Sequence, residues 1–214
     1  MDCCQCQGIE TKFNQKYVTK KLEKYRKDGP KNTTLQLIEA LQVEDTEGME
    51  LMDIGGGVGD IQHALLKSGV GNAINIEAST AYIEACKVEA EYQGHAARIN
   101  HLQGDFVELA EGIPSADIVT LDRVICCYHD MSQLVNLSAQ KANRLYGFVY
   151  PRDTWWVRLG TLFYYNLRHW LQRNPMRIFV HPTEAVEAVV RKNGFERCFY
   201  REMGSWQVVV FSRP

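Results

Sequence analysis

The sequence predicts an α/β protein with a doubly wound, mostly parallel sheet that ends in an antiparallel β-hairpin. Three observations carry that expectation. Short apolar runs alternate with helical segments from Met49 to Tyr150, the pattern of successive β–α units. A glycine-rich turn, Gly55-Gly56-Gly57-Val58-Gly59, follows the first of these runs, where an open α/β sheet places its ligand crevice. The last two apolar runs, 195–201 and 206–211, are separated only by a turn containing Met203-Gly204-Ser205. A parallel return needs a crossover of about a dozen residues or more, so these two pair antiparallel.

Taken in order, residues 1–11 hold Cys3, Cys4 and Cys6 and show little periodicity. A helix is expected over 12–27, with Phe13, Tyr17, Leu22 and Tyr25 near one face and lysines elsewhere, stopped by Gly29-Pro30. Thr33 or Thr34 is expected to cap a second helix whose apolar residues are Leu35, Leu37, Ile38 and Leu41. The chain is therefore divided into a Cys-rich tail and basic cap, 1–34, and a main domain, 35–214. In that domain strands are expected at 49–54, 73–77, 99–103, 117–122 and 145–150. Helices are expected at 61–66, from Ser79 to Tyr92, at 131–143 and at 183–192, the last stopped by Asn193-Gly194.

Composition narrows the function classes. With 214 residues, 45% hydrophobic and 23% charged, the chain can bury a core without disulfides or metals. A net charge of −2 argues against a nucleic-acid binder, which carries a basic excess. Charge is nonetheless uneven: between Lys12 and Lys31 the only acids are Glu23 and Asp28. Seven cysteines is an odd number without paired C-x₂-C spacing, so no disulfide framework and no metal site is expected, and a reducing, cytoplasmic setting fits. Neither a signal peptide nor an apolar run of transmembrane length is visible.

The chemical signal is Asp53-Ile54-Gly55-Gly56-Gly57-Val58-Gly59. Glycines let the backbone turn sharply and let a ligand approach closely. The dinucleotide spacing G-x-G-x-x-G fails, because its third glycine position holds Asp60 or Gln62, and no P-loop Lys-Ser/Thr follows. An acid, Asp53, stands before the glycines instead, which suits a cation better than a pyrophosphate. Glu77 ends the second strand at the place where such folds set a carboxylate on ribose hydroxyls. Gly104-Asp105-Phe106 offers an acid beside a ring after the third strand, and Asp122 ends the fourth. Four acids at successive strand ends face one rim.

These residues resemble class I S-adenosylmethionine (SAM)-dependent methyltransferases over roughly 35–214. Asp53-x-Gly55-x-Gly57-x-Gly59 is similar to the family's first motif, Glu77 to its second-strand acid and Asp105 to the acid near the adenine amino group. The resemblance implies the Rossmann-like methyltransferase fold and SAM as cofactor, held by Asp53, Gly55, Gly56, Gly57, Glu77, Asp105, Phe106 and Asp122. The C-terminal half resembles the magnesium-protoporphyrin O-methyltransferase branch through Leu121-Asp122, Tyr128 and Val180-His181-Pro182-Thr183-Glu184. That implies a small acceptor, apolar, carboxylate-bearing or tetrapyrrole. The chain departs from the branch at Gly56, at Cys126-Cys127, at His129-Asp130 and in its N-terminal cysteines.

Methyl transfer from a sulfonium needs alignment more than acid–base help. Residues 122–130 follow the fourth strand beside the expected methyl position, so His129 is a candidate base and Tyr128 a candidate pocket residue. An aromatic insertion at about 153–177 contains Trp155, Trp156, Phe163, Tyr164, Tyr165 and Trp170 with Arg158, Arg168 and Arg173. It reads as an amphipathic core helix, as a lid whose tryptophans touch the acceptor, or as a membrane-surface contact. Two other functions stay open on the residues alone. A SAM-binding regulatory or metal-sensing module would use the cysteine cluster, and a nicotinamide oxidoreductase is disfavoured by the glycine spacing and the hairpin.

Overall fold

In a computed structural model of the chain, residues 4–214 are described, with side chains from residue 8 onward. Seven strands, β1 (Glu50–Ile54), β2 (Asn72–Glu77), β3 (Ile99–Gln103), β4 (Ala116–Asp122), β5 (Ala142–Pro151), β6 (Glu196–Met203) and β7 (Trp206–Ser212), form one sheet. Their order is β3-β2-β1-β4-β5-β7-β6. The first five run parallel, and β7 lies antiparallel between β5 and β6. The order reverses between β1 and β4, which opens a crevice at the carboxyl ends of the strands.

Strand periodicity builds a core on each face of the sheet. Tyr146, Phe148 and Tyr150 of β5 point into one buried cluster, and Leu145 and Val149 into the other, as alternation along a strand requires. Gly147 sits among them on the second face, where a Cβ would lie 2.8 Å from Leu37. That missing side chain lets helix α3 (Asn32–Leu41) press against β5 and β7. The first face is covered by α6 (Phe106–Leu109), α7 (Met131–Lys141) and α10 (Thr183–Lys192). The other carries α3 and α4 (Asp60–Lys67).

The N-terminal region differs from expectation. The helix expected over about 12–27 is α2 (Gln15–Asp28), stopped at Gly29 as expected but starting three residues later, and a separate helix, α1 (Cys4–Lys12), precedes it. Asn14 makes the break by capping α2, its side-chain oxygen accepting from the Tyr17 N–H at 3.1 Å. The expected cap of α3 is also corrected. Lys31 holds the N-cap position without a side-chain bond, and Thr33 and Thr34 lie inside the helix, so the anticipated boundary at 34/35 falls within α3. By contrast Ser79 does cap α5 (Thr80–Tyr92). Its hydroxyl also donates to the Phe13 carbonyl at 3.1 Å, while Glu10 accepts the Thr80 N–H at 3.1 Å. These bonds pin the α1–α2 corner over the end of β2.

The aromatic insertion is helical from Trp155 to Leu171, and residues 172–177 form a turn and irregular chain. α8 (Trp155–Gly160) passes through a π-helical stretch, Thr161–Asn166, into α9 (Leu167–Leu171). Among the described residues no helix is long and apolar enough to cross a membrane.

Candidate active site

A cavity of about 440 Å³ lies at the carboxyl ends of β1 to β4, within the usual size for a small-ligand site. Its deep wall is the turn after β1. Asp53 is fully buried, and its two carboxylate oxygens accept from the Thr120 hydroxyl at 2.7 Å and the Gln62 amide at 3.0 Å. Burial raises its pKa to about 7, against the lowering effect of those two bonds. Gly56 lies directly over this network: a Cβ there would fall 2.5 Å from Asn75 Oδ1 and 2.7 Å from Asp53 Oδ2. Gly55 and Gly57 have φ of 69° and 58°, the left-handed region that favours glycine.

Glu77 ties the wall together. One oxygen accepts the Gly57 N–H at 3.2 Å and the other the Ser79 N–H at 2.9 Å. Burial raises its pKa despite these donors. Asp105 caps α6 through the Val107 N–H at 2.9 Å and accepts from the Tyr128 hydroxyl at 3.1 Å. Asp122 accepts from the Thr34 hydroxyl at 2.6 Å and pairs with Arg123 at 2.8 Å. Its other oxygen is buried without a protein partner. Arg123 has a φ of 61°, an uncommon conformation for a non-glycine residue that concentrates at functional sites. Its guanidinium also bonds Thr33 and sits 5.1 Å from the Trp206 ring.

The outer wall has the opposite character. Phe13, Tyr17 and Tyr82 form a ring cluster at 5.4–5.5 Å between centroids, and Lys12, Lys21, Lys24 and Lys31 also line the cavity. Lys31 keeps solvent contact, yet its pKa falls to about 8, first through desolvation and then through the cations of Arg123 and Lys21. One cavity therefore joins buried acids to a basic, aromatic opening.

The family model for the O-methyltransferase domain matches residues 5–144. The chain belongs to the O-methyltransferase domain family. It is a SAM-dependent methyltransferase, as the glycine and acid motifs imply. The match takes in α1 and α2 as well as the first four strands. In structure the methyltransferase is similar to magnesium protoporphyrin IX methyltransferase from Synechocystis PCC 6803 with bound SAH, at 16% identity and a TM-score of 0.76, covering 98% of this chain and 100% of that one. It is also similar to an O-methyltransferase family protein from Burkholderia thailandensis, at 13% and 0.70, covering 94% and 61%. A third similar structure is the cyclase SpnF, at 13% and 0.64, covering 85% and 79%. At such identities the likeness is one of fold. No curated protein matches the sequence.

All eight expected cofactor residues of the methyltransferase line the cavity: Asp53, Gly55, Gly56, Gly57, Glu77, Asp105, Phe106 and Asp122. Tyr128 lines it too, with its hydroxyl turned to Asp105. His129 does not. It is exposed, stacks on Tyr128 at 5.9 Å and is absent from the cavity wall. The ordered neighbour is His181, whose Nε2 reaches the carbonyls of Ile125 at 3.1 Å and Tyr128 at 2.9 Å and so fixes the turn Ile125–Cys127.

The tryptophan-lid expectation also fails. Trp155, Trp156 and Trp170 are exposed and none lines the cavity; Tyr165 and His169 are the residues of 155–171 that do. The core-helix reading fails with it, for the same exposure. Sequence reasoning missed the lysines of the opening and placed them away from the aromatic face. The signal was present: Tyr17, Lys21, Lys24 and Tyr25 stand at helical spacing and share the cavity-facing side of α2. Cys3 lies outside the described residues, as do the side chains of Cys4 and Cys6. Among the described residues no group of three or more His, Cys, Asp or Glu is arranged to hold a metal. Cys126 is buried, and its thiol is pushed up by the bond with Cys127 and by burial, which makes it a poor nucleophile.

Proposed function

We propose that the methyltransferase moves a methyl group from SAM to an oxygen of a small acceptor with an apolar body and an anionic group, such as a carboxylate. The observation that carries this reading is the polarity of the cavity, acidic and glycine-lined inside, basic and aromatic at the opening.

The inner residues fit the cofactor by their own chemistry. A Cβ on Gly57 would meet only Tyr82, at 3.8 Å, so that backbone faces open space. Glu77 has accepting capacity left for ribose hydroxyls beyond its backbone donors. The partnerless oxygen of Asp122 suits an ammonium. When bound, SAM supplies an electrophilic methyl carbon: the acceptor oxygen forms the new C–O bond as the C–S bond breaks and its electron pair goes to sulfur.

The chain's part is then to bind, orient and exclude water. Phe13, Tyr17 and Tyr82 enclose the apolar body, and Lys12, Lys21 and Lys31 attract the anionic group, while Lys24 is paired with Asp28. A carboxylate acceptor arrives already deprotonated, so the reaction needs no base, in keeping with the position of His129 outside the cavity. Alignment alone supplies about 7–11 kcal/mol.

The test is transfer of labelled methyl from SAM to a metabolite extract fractionated by charge and hydrophobicity. Label should enter apolar anionic compounds as base-labile methyl esters. Label confined to cationic or neutral polar compounds, or no transfer at all, would sink the proposal.

A further inference from the structure

The segment 155–171 is built inside out. Its buried positions are Val157, Thr161 and His169, a narrow and partly polar stripe. Its exposed positions include Trp155 at 74% exposure, Phe163 at 63%, Tyr164 at 64%, Trp170 at 64% and Leu171 at 68%. A surface helix of a soluble domain shows the reverse arrangement, and an exposed apolar patch of this extent marks an interaction site.

We propose that this ridge docks the methyltransferase on an anionic lipid surface, lying in the interface rather than spanning it. Charge selects that occupant. From residue 154 to 183 the chain has no Asp or Glu, while Arg158, Arg168, Arg173 and Arg177 fall in the same stretch. Asp153 pairs with Arg158, but among the described residues Arg168 and Arg173 are in no ion pair. Lys12 of α1 lies close enough to Arg168 to feel its charge, which extends the basic edge toward the cavity. Tryptophan and tyrosine are the side chains enriched where hydrocarbon meets headgroups, and basic residues beside them attract anionic lipid.

Docking in this orientation has a consequence for catalysis. Tyr165 of the ridge and His169 of the buried stripe beneath it both line the cavity, so the opening lies beside the lipid. An apolar acceptor dissolved in the bilayer would enter without crossing water. That consequence rests on the proposed function; the docking does not.

The experiment uses the full chain and vesicles of phosphatidylcholine with and without phosphatidylglycerol, so no acceptor is needed. Three of the four tryptophans, Trp155, Trp156 and Trp170, are on the ridge, so their fluorescence reports insertion directly. The expected result is a blue shift and at least about ten-fold stronger partition onto the anionic vesicles. The combined variant Trp155→Ser, Phe163→Ser, Trp170→Ser should stay in the supernatant with SAM affinity unchanged. Arg168→Gln with Arg173→Gln, which leaves the apolar ridge intact, should remove the preference for anionic lipid. Equal or absent partition of the wild-type chain overturns the proposal. So does a dimer in solution that the triple variant converts to monomer, because the ridge would then be covered by a second copy. If the triple variant also loses SAM affinity, the arginine pair decides: retained anionic preference counts against docking. Methyl transfer could persist through any of these failures, which separates this proposal from the previous one.

Discussion

The Glu77 carboxylate accepts the backbone N–H of Gly57 at 3.2 Å, across twenty positions of sequence. The bond joins the end of β2 to the glycine turn after β1, and the other oxygen reaches the N–H of Ser79 at the start of α5. One side chain thus sets the spacing of three segments around the cavity. It therefore organises the cavity wall that it also lines.

The glycines of the turn do different work, and two variants separate them. Gly56→Ala should destabilise the fold by about 1–3 kcal/mol, because its Cβ is driven against the buried Asn75 and Asp53 carboxamide and carboxylate. Gly57→Ala has open space and should cost only about 1–2 kcal/mol from its left-handed backbone, but should weaken SAM binding at least as much as Gly56→Ala. Thermal denaturation and calorimetry with SAM read the two effects; the reverse ranking in stability would contradict the geometry.

Asp53 links stability to pH. Its pKa is raised from 3.8 to about 7, so between these values the folded chain holds a proton that the unfolded chain has released. Stability from this group is complete below the unfolded value and is lost as pH rises toward about 7. Asp53→Asn should therefore flatten the fall in melting temperature from about pH 4 to 7, a difference on the order of a few kcal/mol at most. Parallel melting curves for variant and wild type across that range would rule out the buried protonated acid.

Much of this was legible in the sequence, and the limits have physical causes. The strand ends carrying Asp53, Glu77 and Asp122 could be placed because buried parallel strands read as short apolar runs bounded by turn residues. Ser79 was readable as a cap because its bond is local. Thr33 and Thr34 were misread because the partners of their hydroxyls, Arg123 and Asp122, lie about ninety positions away. His129 was misplaced because which side chains of 122–130 face the cavity depends on contacts made from a distant segment, such as those of His181 with the Ile125 and Tyr128 carbonyls. The insertion was recognised as aromatic, but which side it buries depends on tertiary packing, and its burial proved to be inverted.

The opening of the cavity gives a second pH effect, on the acceptor alone. Lys31 loses its charge near pH 8, so the KM for an anionic acceptor should rise about two- to five-fold through that region. Lys31→Arg stays charged and should remove the rise without changing SAM affinity. A KM that climbs equally in both would place the titrating group elsewhere.

The most direct test of the SAM site is calorimetry on Glu77→Ala and Glu77→Gln beside the wild-type chain, with NAD as the control ligand. The account predicts that the wild type binds SAM and not NAD. Folded Glu77→Ala should lose about 100-fold in affinity, the scale of two charge-assisted hydrogen bonds after some compensation by water. Glu77→Gln should lie between. Unchanged SAM affinity in folded Glu77→Ala, or NAD binding as tight as SAM in the wild type, would contradict it.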